Sequence, residues 1–386
     1  MKNIQLLLTA ALACLATGTN AQVSNPAGEK LAAVKCDSAV ALADRGQTSQ
    51  AIRLLTEALV LDPQPVRYSA ELAYTYYLQH NTSGAISLLD QLSHRPDADE
   101  KLYTFLGSLY SQNDEPEKAL NVYRLGTQRF PESAVLCAAL SAGLVRSRSY
   151  YAALESAEKG ILADPAYAEN YYWAALIYCH STEKVWGMLY GEIYLCLNTG
   201  ADSTHANQIS RLLYQTSQTA LQLSGEEGIK VNFSEIASGQ GTGEINARLP
   251  YQVGIYEMLM LNAAKQETVV DLYTLDLIRT RFLKSYFEQD LNTPYPNALL
   301  EYQAEIANAG FFDEYNHWVF QSGNQKEFSD WAVRNDIRYA AFRTWLKENP
   351  LKIRRTHFFN SGQYAWKEKP EKIRIERRIQ GVPEVR

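Results

Sequence analysis

Residues 44–63, DRGQTSQAIRLLTEALVLDP, hold a turn, an amphipathic run and a stop in twenty positions. Asp44-Arg45-Gly46 has turn composition, and the apolar residues after it recur at helical spacing. Pro63 ends the run, because proline lacks an N–H and forces the residue before it out of helical backbone. The same arrangement returns in FLGSLYSQNDEPEKALNVYRLGTQRFP (105–131) and in ALSAGLVRSRSYYAALESAEKGILADP (139–165).

Set side by side, the segments fall into phase at 34 residues. Ala51, Ala85, Ala119 and Ala153 are one series, continued by Gly187. Ala39, Ala73, Gly107, Ser141 and Ala175 are a second, every member small. Leu42, Tyr76, Tyr110, Leu144 and Tyr178 are a third. Pro63, Pro131 and Pro165 are a fourth, which Pro96 misses by one position. A small residue and a large one three later share one face of a helix, so each unit reads as two antiparallel helices that approach closely at the small positions. Asn81-Thr82-Ser83-Gly84 and Asn113-Asp114-Glu115-Pro116 are expected turns between the helices, with Pro116 suited to a first helical position.

These segments resemble the tetratricopeptide repeat. The expected architecture is all-α: a right-handed solenoid of about five helix pairs, at 32–65, 66–99, 100–133, 134–167 and 168–201, followed by a capping helix over 202–224. The second unit departs in carrying Leu92 where a small residue is usual, and the fifth has Gly187, Tyr194 and no closing proline. The resemblance implies a concave groove lined by the first helix of each pair and open to a peptide or protein partner. Transferred by position, the third unit offers Lys101, Thr104, Ser108 and Ser111 to the groove, and the residues taken as partner-binding across all units are Arg67, Tyr74, Tyr77, Lys101, Ser108, Glu169 and Tyr172. A carboxylate clamp of several Lys and Asn is missing, since Arg67 and Lys101 are the cations of this set. Tyr suits protein contact, having a rigid apolar face and a hydrogen-bonding tip.

Beyond 224 the period is lost. Glycines at 225, 228, 239, 241 and 243 mark 225–247 as a linker. Gly239-Gln-Gly-Thr-Gly243 lacks the Lys-Ser or Lys-Thr of a phosphate-binding loop. Helices are expected at 249–265, 267–289, 297–308, 311–321 and 325–348, forming an aromatic-rich module over 248–360 with a core of its own. Within it, Glu314 and His317 have the spacing of half a carboxylate–histidine metal site, but no second half exists, and a His satisfied beside Trp318 is the favoured reading. Tyr295, Trp318, Trp331 and Trp345 could stack on sugars, though core packing is favoured. Residues 361–386 read as a charged, largely solvated tail.

The N-terminus has the form of an export signal over residues 1–21. Lys2 precedes the apolar run Ile4–Ala16, which is too short to span a bilayer, and Thr19-Asn20-Ala21 offers small residues before a cleavage at Gln22. Lipid attachment at Cys14 is the weaker alternative. An exported bacterial protein, periplasmic or extracellular, follows. Cys36, Cys137, Cys179 and Cys196 have no zinc-like spacing and are expected as buried thiols.

Over 386 residues the chain is 46% hydrophobic and 21% charged with a net charge of −6, which excludes wholesale disorder and gives no footprint for nucleic acid. No nucleophile elbow, metal signature or paired catalytic carboxylate stands out. The functional expectation is therefore a non-catalytic adaptor without a cofactor, working through its groove. The alternative is a periplasmic protein that binds glycan or peptidoglycan with the aromatic module.

Overall fold

The computed structural model describes residues 25–199, 204–224, 228–234, 250–364, 374–376 and 379. The expected signal segment, Cys14 and the Gly239–Gly243 loop lie outside the described residues. Packing divides the chain into two compact units, Met1–Pro131 and Glu132–Arg386.

Unit 1 is three helix pairs. They are α1 (Pro26–Asp44) with α2 (Thr48–Leu61), α3 (Val66–Leu78) with α4 (Thr82–Ser93), and α5 (Glu100–Gln112) with α6 (Pro116–Arg129). Ala39, Ala51, Ala73, Ala85, Gly107 and Ala119, the small residues of the first two series, are all buried where paired helices meet. The closest approach is at Gly107, where a Cβ would lie 2.2 Å from the Tyr123 ring. Side-chain caps start several helices: Asn25 accepts from Gly28 N–H, Asn81 from Gly84 N–H and Asp99 from Leu102 N–H.

The 34-residue period is also written in the backbone. Gly46, His80, Asp114 and Arg148 have φ of 75°, 59°, 58° and 59°, one in each of the first four turns between paired helices. The N–H that follows each reaches back to close the turn: Gln47 to Leu42 O, Asn81 to Tyr76 O, Glu115 to Tyr110 O and Ser149 to Leu144 O, at 2.8–2.9 Å. This six-to-one bond beside a left-handed residue is the helix-ending geometry that glycine favours. The acceptors are the third sequence series, so one residue fills the gap between helices and also ends its own. The residues before Pro63, Pro131 and Pro165 (Asp62, Phe130 and Asp164) have φ of −148°, −124° and −143°, as a following proline requires.

Unit 2 begins with two more pairs, α7 (Ala134–Arg146) with α8 (Tyr150–Ala163) and α9 (Ala168–Cys179) with α10 (Lys184–Leu197). α11 (Thr204–Ala220) packs on the second of these pairs as the expected cap. The fifth pair differs from the others in composition. From Asn170 to Cys179 every residue except Trp173 is buried, and from Val185 to Cys196 every residue is. Helices apolar on all sides need cover on all sides. That cover comes from the C-terminal helices, so the aromatic module does not stand on a core of its own; it shares one with the fifth pair.

The C-terminal helices run from a π-helical turn (Gln252–Glu257) into α12 (Met258–Ala264), then α13 (Leu272–Glu288), α14 (Ala298–Asn308), α15 (Phe312–Phe320), α16 (Gln325–Arg334) and α17 (Asp336–Glu348). Asp271 and Thr274 form a reciprocal capping box on α13. The helix expected over 325–348 is broken at Asn335, which bonds back to Trp331 O and Ala332 O. Glu192 of α10 and Arg279 of α13 form a buried bidentate pair, both bonds 2.6 Å. Gln303 and the Tyr315 hydroxyl also donate to Glu192, each at 2.9 Å, and Asn316 Oδ1 accepts from Arg279 Nε at 2.6 Å.

The described parts of the stretches read as linker and tail are also built in. Residues 230–231 form β2, antiparallel to β1 (Leu221–Gln222). Ser361 Oγ donates to Glu158 at 2.6 Å, alongside the Tyr178 and Tyr190 hydroxyls. Further on, Ser181 pairs with Ile375 and Glu183 with Ser234. These bridges occupy the turn of the fifth pair, where the left-handed residue of the earlier repeats is not used. Within the described residues no helix is long and apolar enough to cross a membrane.

Candidate functional site

The residues expected to line a groove divide between the two units. Five lie in unit 1, on neighbouring faces of α3 and α5. Arg67 and Lys101 are equivalent positions 34 apart, and both charges bear on Glu71, which sits between them. Burial raises the Glu71 carboxyl above its ordinary range, Asp44 and Asp37 add to the rise, and Arg67 and Lys101 oppose it. Arg67 is itself held by Asp37 of α1 through a 2.6 Å bond, which raises its affinity for the proton.

Beyond this charged end lies an aromatic cluster. Tyr74 and Tyr77 meet the ring of Phe105 edge-on, with centroids at 5.9 and 5.6 Å. Tyr74 remains 41% exposed, the largest accessible ring on this face. The Tyr77 hydroxyl donates to Gln112 Oε1 at 3.3 Å. Ser108 Oγ donates to Phe105 O at 2.8 Å, so its hydroxyl is spent within its own helix. Edge-to-face rings of this kind hold one another in place without closing over, leaving a rigid apolar surface at low entropic cost. Phe105 was not among the expected residues, although it lies four after Lys101 and three before Ser108 and so on their stripe of α5.

Glu169 and Tyr172 lie in unit 2 and are engaged there. Tyr172 is 2% exposed; its ring stacks on His205 at 4.0 Å and its hydroxyl donates to Gln208 at 2.8 Å, both on α11. Glu169 faces His205 at 3.5 Å. The capping helix thus takes the surface that Tyr172 was expected to offer. The reason is the apolar character of the fifth pair, which draws α11 down onto it.

The other features singled out in the sequence resolve into packing. His317 stacks on Trp331 at 4.0 Å, rather than on Trp318, and its Nδ1 lies 3.0 Å from Asp313 O. Glu314 is buried and paired with Arg338 at 2.5 Å. Trp318 and Trp331 are buried, and Tyr295 and Trp345 are half-buried against Tyr364 and Phe311. Cys36, Cys137, Cys179 and Cys196 are free thiols, all buried. Burial pushes Cys36 up to about 11 and Cys179 and Cys196 up to about 12. No group of three or more metal-ligating side chains is found among the described residues.

Paired antiparallel helices with small residues at each crossing, stacked within each unit, define an all-α helical-repeat protein. Its repeat is the tetratricopeptide repeat: the family model of that description matches residues 42–109, the stretch that holds Arg67, Tyr74, Tyr77, Lys101, Phe105 and Ser108. Residues 42–109 are in this sense tetratricopeptide repeat, a module of the protein-interaction type. Among solved structures, the crystal structure of MamA is 21% identical, with 44% of this chain and 92% of that chain covered and a TM-score of 0.37. YrrB, described as a TPR protein with an unusual peptide-binding site, is 15% identical, with 43% and 86% covered and a TM-score of 0.35. MamA from Desulfovibrio magneticus RS-1 is 16% identical, with 45% and 97% covered and a TM-score of 0.36. No curated protein matches the chain.

Proposed function

We propose that this protein is an exported, non-catalytic scaffold that holds an extended segment of another protein against the α3–α5 face. The observation that carries the reading is the ring cluster of Tyr74, Tyr77 and Phe105, accessible on one side and flanked by Arg67 and Lys101. Apolar side chains of a partner would pack on the ring edges. Arg67, Glu71 and Lys101 would fix its register through charge, a role that sets specificity more than affinity. The export part rests on the N-terminal sequence, Lys2 followed by Ile4–Ala16 and the small residues before Gln22.

A photo-crosslinking amino acid placed at Tyr74, with a second placed at Val60 as a control surface position, tests the face in the native cell. A discrete protein adduct from position 74 that disappears when Arg67 and Tyr77 are both changed to Ala supports the reading. Identical adducts from both positions, or none, would overturn it. Cell fractionation and N-terminal sequencing test export separately, and a mature chain beginning at Gln22 outside the cytoplasm is expected.

A further inference from the structure

Between β2 and the π-helical turn, the structure makes one contact whose strength depends on a proton. Ser234 gives both its N–H and its hydroxyl to one oxygen of Glu257, at 2.6 and 2.9 Å. The neighbouring residues hold the same stretch by bonds that do not titrate. Phe233 is fully buried and meets the Tyr256 ring edge-on at 5.6 Å. Phe233 O accepts from Lys184 N–H at 2.7 Å, and Asn232 N–H donates to Ala220 O at 2.9 Å. Glu257 is 2% exposed, so its carboxylate lies under the segment it holds.

We infer that Glu257 is a pH-sensitive clasp, closed over residues 230–234 when its carboxyl is protonated and loosened when it ionises. Among the described residues, the charge is offset by the two Ser234 donors, a Phe233 backbone bond and one cation. Lys184 of α10 is the cation that bears on it. Glu183, which pairs with Ser234 through the backbone, directs its carboxylate to the Trp186 indole N–H at 3.0 Å. Lys230 lies on β2, the Tyr256 hydroxyl is on the adjoining residue, and α12 carries no titratable side chain. Burial therefore dominates and raises Glu257 from 4.5 to about 7, against the hydrogen bonds from Ser234 and the attraction of Lys184.

The sign follows from linkage. A carboxyl whose pKa is higher when closed than when open favours closure at low pH. That advantage declines as pH rises from the open-state value through the closed-state value. The opening constant of residues 230–234 rises by on the order of fifty- to a hundredfold between pH 5 and pH 8 and levels off above.

Hydrogen exchange on the full chain tests this, with rates at Val231, Phe233 and Ser234 divided by their intrinsic pH dependence and α5 amides as reference. Protection of the segment should fall across pH 5–8 while the reference stays level. Glu257→Gln, which keeps an acceptor for Ser234 and removes the charge, should flatten the profile. Lys184→Met should move its midpoint upward. A level profile in the unmodified protein overturns the proposal whatever the variants do, and so does a Glu257→Gln profile that keeps the wild-type slope.

Discussion

Glu192 and Arg279 stand 87 residues apart in sequence and meet through two 2.6 Å bonds in the interior of unit 2. Burial works against the charge on Arg279, and the Glu192 carboxylate more than offsets it, so the guanidinium holds its proton above the ordinary value. Gln303 and Tyr315 fill further lone pairs of the carboxylate. A buried pair so fully bonded fixes how the C-terminal helices seat on α10. Removing one partner leaves the other charge stranded, at a cost of about 3–5 kcal/mol. Arg279→Met should therefore lower the denaturation midpoint of unit 2 steeply, and Arg279→Met with Glu192→Met should recover part of the loss. A double variant no better than the single would show that packing, rather than the stranded charge, sets the cost.

Gly107→Ala puts a methyl 2.2 Å from the Tyr123 ring, which cannot withdraw from between α5 and α6 without opening the pair. A loss of about 1–3 kcal/mol is expected. Gly107→Ala combined with Tyr123→Leu should restore part of it, as urea denaturation followed by circular dichroism would show.

His80 occupies the left-handed turn position at φ 59° that Gly46 fills in the first pair. An L-residue there costs about 1–2 kcal/mol, against which glycine has a larger unfolded-chain entropy. His80→Gly should stabilise unit 1 by up to about 1 kcal/mol, read as a rise in melting temperature. A fall would mean that the His80 side chain makes a contribution its geometry does not suggest.

The thiols should be silent in the folded protein. Burial holds Cys36 at about 11 and Cys179 and Cys196 at about 12, so the nucleophilic thiolate is scarce at pH 8 as well as covered. Iodoacetamide at pH 8 should label none of these three in the native chain and all of them in denaturant, as mass spectrometry would count. Fast native labelling of Cys179 would contradict the packing of the fifth pair.

Changing Arg67 alone should leave stability nearly intact. The Arg67–Asp37 pair is more than half exposed on both sides, and such pairs contribute about 0–1 kcal/mol. Loss of the crosslinked partner with a melting temperature within a few degrees of wild type separates a binding role from a structural one.

The repeat was legible because its spacing serves two purposes at once. Leu42, Tyr76, Tyr110 and Leu144 pack between helices and also accept the bond that ends each one, so the pattern is doubly constrained. The face of α3 was legible for the same reason, through positions that recur. Phe105 was passed over because transfer by repeat position selects Thr104 beside it, and only the helical stripe shared with Lys101 and Ser108 points to it. The boundary at Pro131 and the fusion of the fifth pair with the C-terminal helices had no periodic signature. Their one local trace is the composition of 170–196, too apolar to leave any side in water. The Glu192–Arg279 pair was out of reach, since nothing local couples residues 87 apart.

The same apolar composition sets an order of events during synthesis. α9 and α10 leave the ribosome well before residues 272–320 that must cover them. For that interval two of the greasiest helices in the molecule have each other and their neighbours in the chain but lack the cover of the C-terminal helices. The fifth pair is thus the stretch a holding chaperone must shield, and the place where a stalled chain would begin to aggregate.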